Sequence, residues 1–262
     1  MPNKDYFSIT DFYYSGKDVL VLVNFDVPFS QGKIQDDEKI KSHLPTLQYL
    51  AKQKAKRIVL ISHLGRPKGK PVSELSTKPI AAYLSTLLKK PVQFVSQVGD
   101  PIPDAQFVLL ENIRFNKEEE SENEAERNAL AKRIIAMLKD PVFINDGFAT
   151  NHRESSSVVG IPNFVPSAAG LLLEKELNSL APFISPDQQS VAVLGGAKIE
   201  DKIDLIVGLT KKYDHVLIGG GMTFTFLKAL GHPIGQSIVN NEKFSYVQNL
   251  LLDDDSRKKI VL

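Results

Sequence analysis

The sequence predicts an α/β protein of two doubly wound, Rossmann-like parallel-sheet domains, the second incomplete at its C-terminus. Three observations predict it. Short, almost continuously apolar runs alternate with longer amphipathic ones, the pattern of βαβ units whose strands are covered on both faces. Two such series follow one another, separated by a stretch holding Pro162, Pro166 and serines at 155–157. The length of 262 residues suits one large or two small domains.

The first series opens with Val19–Phe25 (VLVLVNF), which reads as a buried strand. Asp37–Gln53 reads as a helix with Ile40, Leu44, Leu47 and Leu50 on one side. Arg57–Ser62 is a strand, and 79–89 is a helix with Pro79 near its start, where a missing N–H is tolerated. Phe107–Asn112 is a strand, 118–138 a long charged helix, and Pro141–Asp146 a strand. The acidic runs Glu118–Glu120 and Asp253–Asp255 read as solvated faces or turns.

In the second series 168–183 is helical, Val191–Gly196 a strand, 199–211 a helix, His215–Gly220 a strand and 222–230 a helix. The boundary is placed near 166. This gives one domain over 1–166 and another over 167–262 that includes a connecting helix, with 160–185 as the hinge candidate. Lys258–Leu262 (KKIVL) begins another apolar strand and stops without cap, turn or polar tail, so the chain is expected to be a piece of a longer one.

Composition excludes several classes. There is no cysteine, which removes disulfides, thiolate metal sites and cysteine nucleophiles and fits a reducing compartment. Lys and Arg number 32 against 31 Asp and Glu, which argues against a general nucleic-acid or membrane-surface binder. No apolar run reaches the ~18–20 residues of a membrane span. The opening MPNKDYFSITDF lacks the apolar stretch of a signal peptide. A soluble cytoplasmic protein is the expectation.

Open α/β sheets bind ligands beyond the carboxyl ends of their strands. NFDVP places Asn24 and Asp26 two apart, on one face if the strand continues. SHLGRPKG carries His63 and Arg66, ENIRF carries Arg114, and NDGFATNHRESSS carries His152 and Arg153. One Arg in such a loop is ordinarily a solvated side chain. Cations at successive strand ends, in a chain of net charge +1, point instead to an anionic ligand such as a phosphate or carboxylate. His63 reads more readily as a hydrogen-bonding residue than as a proton shuttle. His43, in a helix, and His215, opening a strand, call for no functional role.

The second series carries a different signal. In LGGAKIEDK (Leu194–Lys202) a strand passes through a glycine turn into a helix. Gly195 and Gly196 allow close backbone approach, and free N–H groups at a helix start favour anions. Lys198 and Lys202 are four apart, neighbours on one helical face, and repel unless an anion or acid lies between them. IGGGM (Ile218–Met222) repeats the strand-to-glycine turn. Neither matches GxxxxGK[ST] or GxGxxG. On composition alone a phosphate loop and a plain structural turn are equal readings.

Taken in series, SHLGRPKG, LLENIRF, FINDGFATNHRESSSVVGIP, AAGLLLEKEL, VLGGAKIEDKI and IGGGMTFTFLKALG resemble the phosphoglycerate kinase family in order and spacing, from about Val19 to the end. The resemblance implies an N-terminal domain for phosphoglycerate, a C-terminal domain for nucleotide and a cleft between them. It implies the glycolytic, reversible transfer of a phosphoryl group between 1,3-bisphosphoglycerate and ADP, giving 3-phosphoglycerate and ATP with Mg2+. It also implies a cytoplasmic monomer whose partners are these small molecules, with no nucleic acid and no membrane. Carried over by position, Asn24, Phe25, Asp26, Lys39, His63, Leu64, Gly65, Arg66, Arg114 and Arg153 would bind the phosphoglycerate. Lys39 and Lys198 would be catalytic. Gly195, Gly196, Lys198, Lys202, Gly219, Gly220 and Gly221 would serve the nucleotide. No metal ligand falls in this chain, the magnesium contacts being expected beyond Leu262, so the chain alone is expected to be inactive.

Three departures stand out. The family usually reads Arg-Val-Asp-Phe-Asn where this chain has Leu22-Val23-Asn24-Phe25-Asp26, which exchanges acid and amide and loses an arginine. Lys39 stands where the family has its central catalytic arginine, keeping the charge but not the planar fork. NDGFATNHR replaces the usual Asp-Ala-Phe-Gly run, a change expected to touch only loop packing. Leu22, Asn24, Asp26 and Lys39 motivate an alternative, a diverged, catalytically weak or inactive relative that binds phosphoglycerate or a partner. A third reading, a dinucleotide-binding oxidoreductase, has only the fold class and glycine turns behind it and lacks GxGxxG.

Overall fold

A computed structural model describes residues 6–30, 33–184, 189–197, 199–200 and 202–262. The chain forms two compact units, 1–177 and 178–262.

The first unit is built around β1 (Asp18–Val23), whose six residues DVLVLV are all buried. After Asp18 the run holds no polar side chain, and such a run is stable only where both sheet faces are covered. Then come the small antiparallel pair β2 (Phe29–Ser30) and β3 (Lys33–Ile34), α1 (Glu38–Ser42), α2 (Leu44–Lys52), β4 (Arg57–Ser62), α3 (Lys78–Leu88), β5 (Val92–Val95) and β6 (Phe107–Leu110). The unit continues with α4 (Glu124–Ala136), β7 (Val142–Asn145), β8 (Ser167–Ala169) and the first half of α5 (Leu171–Ile184).

The sheet runs β5-β6-β4-β1-β7-β8 with every pair parallel. Alternate residues of β1 feed two cores. Val19, Val21 and Val23 pack with Ile40, Leu47, Leu50, Ile80 and Leu84 on one face. Leu20 and Leu22 pack with Leu130, Ile134 and Phe143 on the other. The chain leaves β1 for β4 on one side and returns to β7 on the other, so the crevice beyond their carboxyl ends is a switch point. Val23 pairs with Ser62 and Leu22 with Asn145, which brings those ends level.

Three expected helices need correction. The helix over 37–53 is two helices broken at His43, where Pro45 in the first turn of α2 supplies no N–H. The helix over 118–138 starts only at Glu124, capped by Asn123 Oδ1 on the Ala125 N–H at 2.9 Å. Glu118–Glu120 lies in a turn, one of the two readings given for it, but it is not a solvated face: Glu119 is fully buried, Glu118 pairs with Arg133 and Glu120 with two arginines. The helix over 168–183 begins as a strand, β8, and turns helical at Leu171. Strand β5, which the sequence reading lacked, forms the sheet edge. The two units divide at Leu177 and Asn178, within α5, whereas the sequence suggested 166.

The second unit holds β9 (Val191–Gly195), α6 (Ile203–Lys212), β10 (His215–Gly219), α7 (Thr223–Ala229), α8 (Phe244–Leu252), α9 (Asp254–Lys259) and β11 (Ile260–Val261). Its parallel sheet runs β11-β10-β9. The core gathers Ile203, Ile206, Val216, Ile218, Phe226 and Val247. The run Asp253–Asp255 opens α9, with Asp253 capping the Ser256 N–H at 3.0 Å.

At the amino end of β1, Asp18 accepts from Arg57 Nε and from the Lys139 N–H, both at 2.8 Å. Burial alone would raise this carboxyl, but the Arg57 and Lys139 hydrogen bonds and the nearby positive charge outweigh it and hold the group below the ordinary carboxylate range. A carboxyl depressed in the folded state stabilises it above the unfolded value, near 3.9, and that stability is lost as pH falls through the folded value. Asp18→Asn is expected to cost about 2–3 kcal/mol at pH 7. Urea unfolding at several pH values checks this: the gap between the two proteins closes as pH drops below about 4. A gap that stays constant with pH would contradict the ionised pair.

Candidate active site

The loops after β1, β4, β6 and β7 leave one rim of the first sheet. β1 ends at Val23, so Asn24 and Asp26 lie in a loop and not on a shared strand face. Asn24 Oδ1 accepts the Asp26 N–H at 3.2 Å, and Asp26 Oδ1 accepts the Gly65 N–H at 3.0 Å. The acid and amide therefore stitch their own loop to the one after β4. Phe25 is buried edge-on against His43, and its N–H donates to Ser62 Oγ at 2.8 Å. Exposed Lys39 donates from Nζ to the Asp26 carbonyl at 2.7 Å.

After β4, His63 is 1% exposed. Its Nε2 lies 2.8 Å from Glu119 Oε1 and 3.3 Å from Ser157 Oγ, while Nδ1 has no partner. Carboxylate and serine meet the same ring nitrogen, so this is not a nucleophilic relay, in which they would take opposite nitrogens. Glu119 is held further by the Ser157 hydroxyl and N–H. The Asn112 side chain clamps Leu64, accepting its N–H at 3.2 Å and donating to its carbonyl at 2.7 Å. Gly65 has φ +58°, and a Cβ there would come within 2.6 Å of Leu75 Cδ2. Glycine takes that left-handed turn without strain, and a side chain there would push Leu75 aside. Arg66, next along, is exposed and makes no hydrogen bond or ion pair among the described residues.

After β6, Arg114 sits on the short turn Ile113–Phe115 and is nearly buried. It donates Nη1 to the Gly65 carbonyl at 2.8 Å and Nε to Glu120 Oε1 at 2.9 Å. After β7, Arg153 Nη1 reaches that same oxygen at 3.2 Å. Arg114 thus links Gly65, the residue before Arg66, to the carboxylate that Arg153 holds, so two of the three strand-end arginines meet and the third follows the residue to which Arg114 is tied. His152 is exposed nearby in the chain. A cavity of about 330 Å³ opens at Arg153, Glu120 and Arg127, and one of about 560 Å³ at Asp26, Leu64 and Gly65. Arginines fixed by protein acceptors, with an exposed arginine and lysine beside them, suit a small anion carrying carboxylate or phosphate oxygens.

His43 does more than the sequence suggested. It is buried, its Nδ1 lies 2.7 Å from Asp146 Oδ2, and its Nε2 accepts the Asn24 N–H at 2.9 Å. Asp146 Oδ1 in turn accepts the Leu172 N–H at 2.9 Å, at the start of α5.

In the second unit, Gly195 and Gly219 pair in register, and the two glycine turns pack backbone on backbone. Gly220 has φ +74°, and a Cβ there would lie 2.8 Å from the Gly196 carbonyl oxygen. Gly221 passes close to Ala197, and Lys202 Nζ lies beside Gly196. Gly195, Gly196, Lys202 and Gly219–Gly221 therefore share one corner beyond β9 and β10. Lys198 lies outside the described residues. The need for glycine at 220 comes from the neighbouring turn, without appeal to a ligand.

The phosphoglycerate kinase family model matches residues 9–262. The chain belongs to the phosphoglycerate kinase family. It is 42% identical over 260 residues to a phosphoglycerate kinase of Pelotomaculum thermopropionicum, covering 96% of this chain and 64% of that relative. It is similar to the solved phosphoglycerate kinase of Coxiella burnetii (TM-score 0.87, 35% identity, 98% of this chain and 66% of that one). It is also similar to that of Pyrococcus horikoshii (TM-score 0.78, 30% identity, 97% and 66%). The chain spans slightly less than two thirds of these phosphoglycerate kinases.

Glu119, Glu120, Asn112 and Asp146 organise the site, and the sequence assigns none of them a place in it; the two glutamates fall in a run that reads as a solvated face or turn. The one available signal for the glutamates was their place just after Arg114 and ahead of the Asn123 cap. Gly170 supplies the test of the Asp146 arrangement. A Cβ at 170 would fall 2.1 Å from Asp146 Oδ1. Gly170→Ala is expected to destabilise the protein by about 2–3 kcal/mol or more, because the buried carboxylate has nowhere to go. Thermal and urea unfolding check it, and a loss under about 0.5 kcal/mol would contradict the packing.

Proposed function

We propose that this chain carries the phosphoglycerate site and part of the nucleotide site of a phosphoglycerate kinase, transferring a phosphoryl group reversibly between 1,3-bisphosphoglycerate and ADP to give 3-phosphoglycerate and ATP. The observation that carries it is the meeting of Arg114 and Arg153 on one Glu120 oxygen, with Arg66 free beside Gly65. Three fixed or free guanidiniums at strand ends match a ligand bearing both phosphate and carboxylate.

The reaction asks little of acid–base chemistry. A substrate carboxylate or an ADP oxygen is already ionised near neutrality, so no general base is needed. The work is to hold several anions together and spread their charge. Arg66, Arg114 and Arg153 would grip and orient the phosphoglycerate, with His63, buried on Glu119, bracing the loop after β4 behind them. Lys39, steadied by the Asp26 carbonyl, would present its remaining N–H groups to the moving phosphoryl. Lys202 and Lys198 would neutralise nucleotide phosphates, and the turns at 195–196 and 219–221 would bring backbone N–H groups near them. Magnesium would add charge neutralisation when carried by the nucleotide. Among the described residues no three His, Asp or Glu side chains gather to hold a metal, and no step here is assigned to one. The proposal includes a cytoplasmic monomer acting on these small molecules alone. Among the described residues no helix is long and apolar enough to cross a membrane.

Calorimetric titration with 3-phosphoglycerate tests the reading on this chain. Saturable binding is expected, weakening as salt rises. Arg66→Ala should weaken it by about tenfold or more. Absence of binding, or binding indifferent to Arg66, would overturn the assignment. For the complete gene product, Lys39→Arg should raise kcat, by up to about tenfold, since one such donor is worth about 10²–10³ and lysine retains part of that. A coupled kinase assay showing kcat unchanged or lower would remove Lys39 from the catalytic position.

A further inference from the structure

Glu120 sits where an anionic ligand would sit. Its Oε1 accepts from Arg114 Nε at 2.9 Å and from Arg153 Nη1 at 3.2 Å. We propose that Glu120 is a specificity-determining residue of the anion site: its carboxylate is a built-in anion between Arg114 and Arg153, and a ligand binds by displacing it. The inference rests on the phosphoglycerate reading and adds to it a competitor within the protein.

The surroundings decide which partner moves. Arg114 is nearly buried and anchored a second time on the Gly65 carbonyl, so it stays. The preceding residue stays too. Glu119 is fully buried against His63 and Ser157, its N–H donates to the Asn116 carbonyl, and its carbonyl accepts the Ser156 N–H. Backbone retreat at 120 is thereby prevented, and only the Glu120 side chain can swing. That side chain and Arg153 are each 38% exposed, so the exchange takes place at the water boundary.

A tethered carboxylate competes unequally with different anions. A singly charged carboxylate offers the two guanidiniums no more than Glu120 already does, and it must come from solution. A phosphate group brings more charge and a third oxygen, and so replaces Glu120 at a gain. Glu120 therefore filters out small monoanions while weakening every ligand somewhat. Its effect is on discrimination, and its removal should tighten binding.

The test compares Glu120→Gln with Glu122→Gln. Gln keeps an oxygen acceptor at 120 and removes the charge. Glu122 lines the same cavity but bonds neither arginine, so its variant corrects for the general loss of one negative charge. Affinities of the whole chain for 3-phosphoglycerate and for glycerate are measured by calorimetry, with folding checked by thermal melts. Glu120→Gln should bind 3-phosphoglycerate about three- to tenfold more tightly, as expected for releasing two ion pairs that share one partly exposed carboxylate. It should gain more for glycerate, narrowing the ratio between the two ligands. Glu122→Gln should stay within about twofold of the starting chain. Glu120→Ala should shift affinity in the same direction as Glu120→Gln, which covers failure of either variant to fold. Wild-type binding of 3-phosphoglycerate with no tightening in the 120 variants, or with equal tightening in Glu122→Gln, overturns this inference and leaves the kinase reading standing. No binding of 3-phosphoglycerate by any of the proteins overturns both.

Discussion

A carboxylate without access to water must find its hydrogen bonds inside the protein, and Asp146 finds them in separate segments. One oxygen meets His43 at the junction of α1 and α2, and the other meets the Leu172 N–H at the start of α5. His43 passes the constraint on to the Asn24 N–H, at the loop of the anion site. Because His43 Nε2 accepts that N–H, the ring is neutral, and removing it would leave a buried carboxylate oxygen unpaired at a cost of roughly 1–3 kcal/mol or more. Helix junction, strand end and helix start are thus fixed as one object. Gly170 belongs to it because any side chain there would collide with the carboxylate.

Neighbouring glutamates divide the remaining electrostatic work. Glu119 is buried and holds His63 and the segment at Ser156 and Ser157. Glu120, one residue later, reaches the surface and holds Arg114 and Arg153. In the ligand-free state the rim is therefore partly neutralised. Without Glu120, Arg114 would stay on the Gly65 carbonyl and Arg153 would turn to water. With it, Arg153 is held beside Arg114 on the very oxygen that an incoming anion must displace.

Much of the fold could be read from the sequence, because burial on two faces leaves continuous apolar runs. Val19–Val23, Ile58–Ile61 and Phe107–Leu110 are strands for that reason, and their order in the chain limits the sheet to few topologies. The arginines at strand ends were readable because position and charge suffice to find them. Glu119 was not, since nothing in a run of three glutamates says which one turns inward. His43 looked like an ordinary helical residue because its partner lies far along the chain. The Asn24–Asp26 pair was misjudged for a related reason. Strand alternation gives the facing of side chains only while the strand lasts, and β1 stops at Val23.

The departures from the family pattern are local in consequence. Leu22 is fully buried in the apolar layer with Leu130 and Phe143, so an apolar side chain there is sustained by its own contacts. Asn24 and Asp26 tie loop to loop through backbone N–H groups, a task that needs acceptors, which both an amide and an acid provide. The exchange leaves that stitching intact. Lys39 differs in kind. One of its three N–H groups is already given to the Asp26 carbonyl, and the two left diverge from a single nitrogen. A guanidinium could make the same backbone contact and still offer two parallel donors to a phosphoryl group. The substitution therefore bears on the spreading of charge during transfer more than on the capture of substrate, and Arg66, Arg114 and Arg153 remain for that capture.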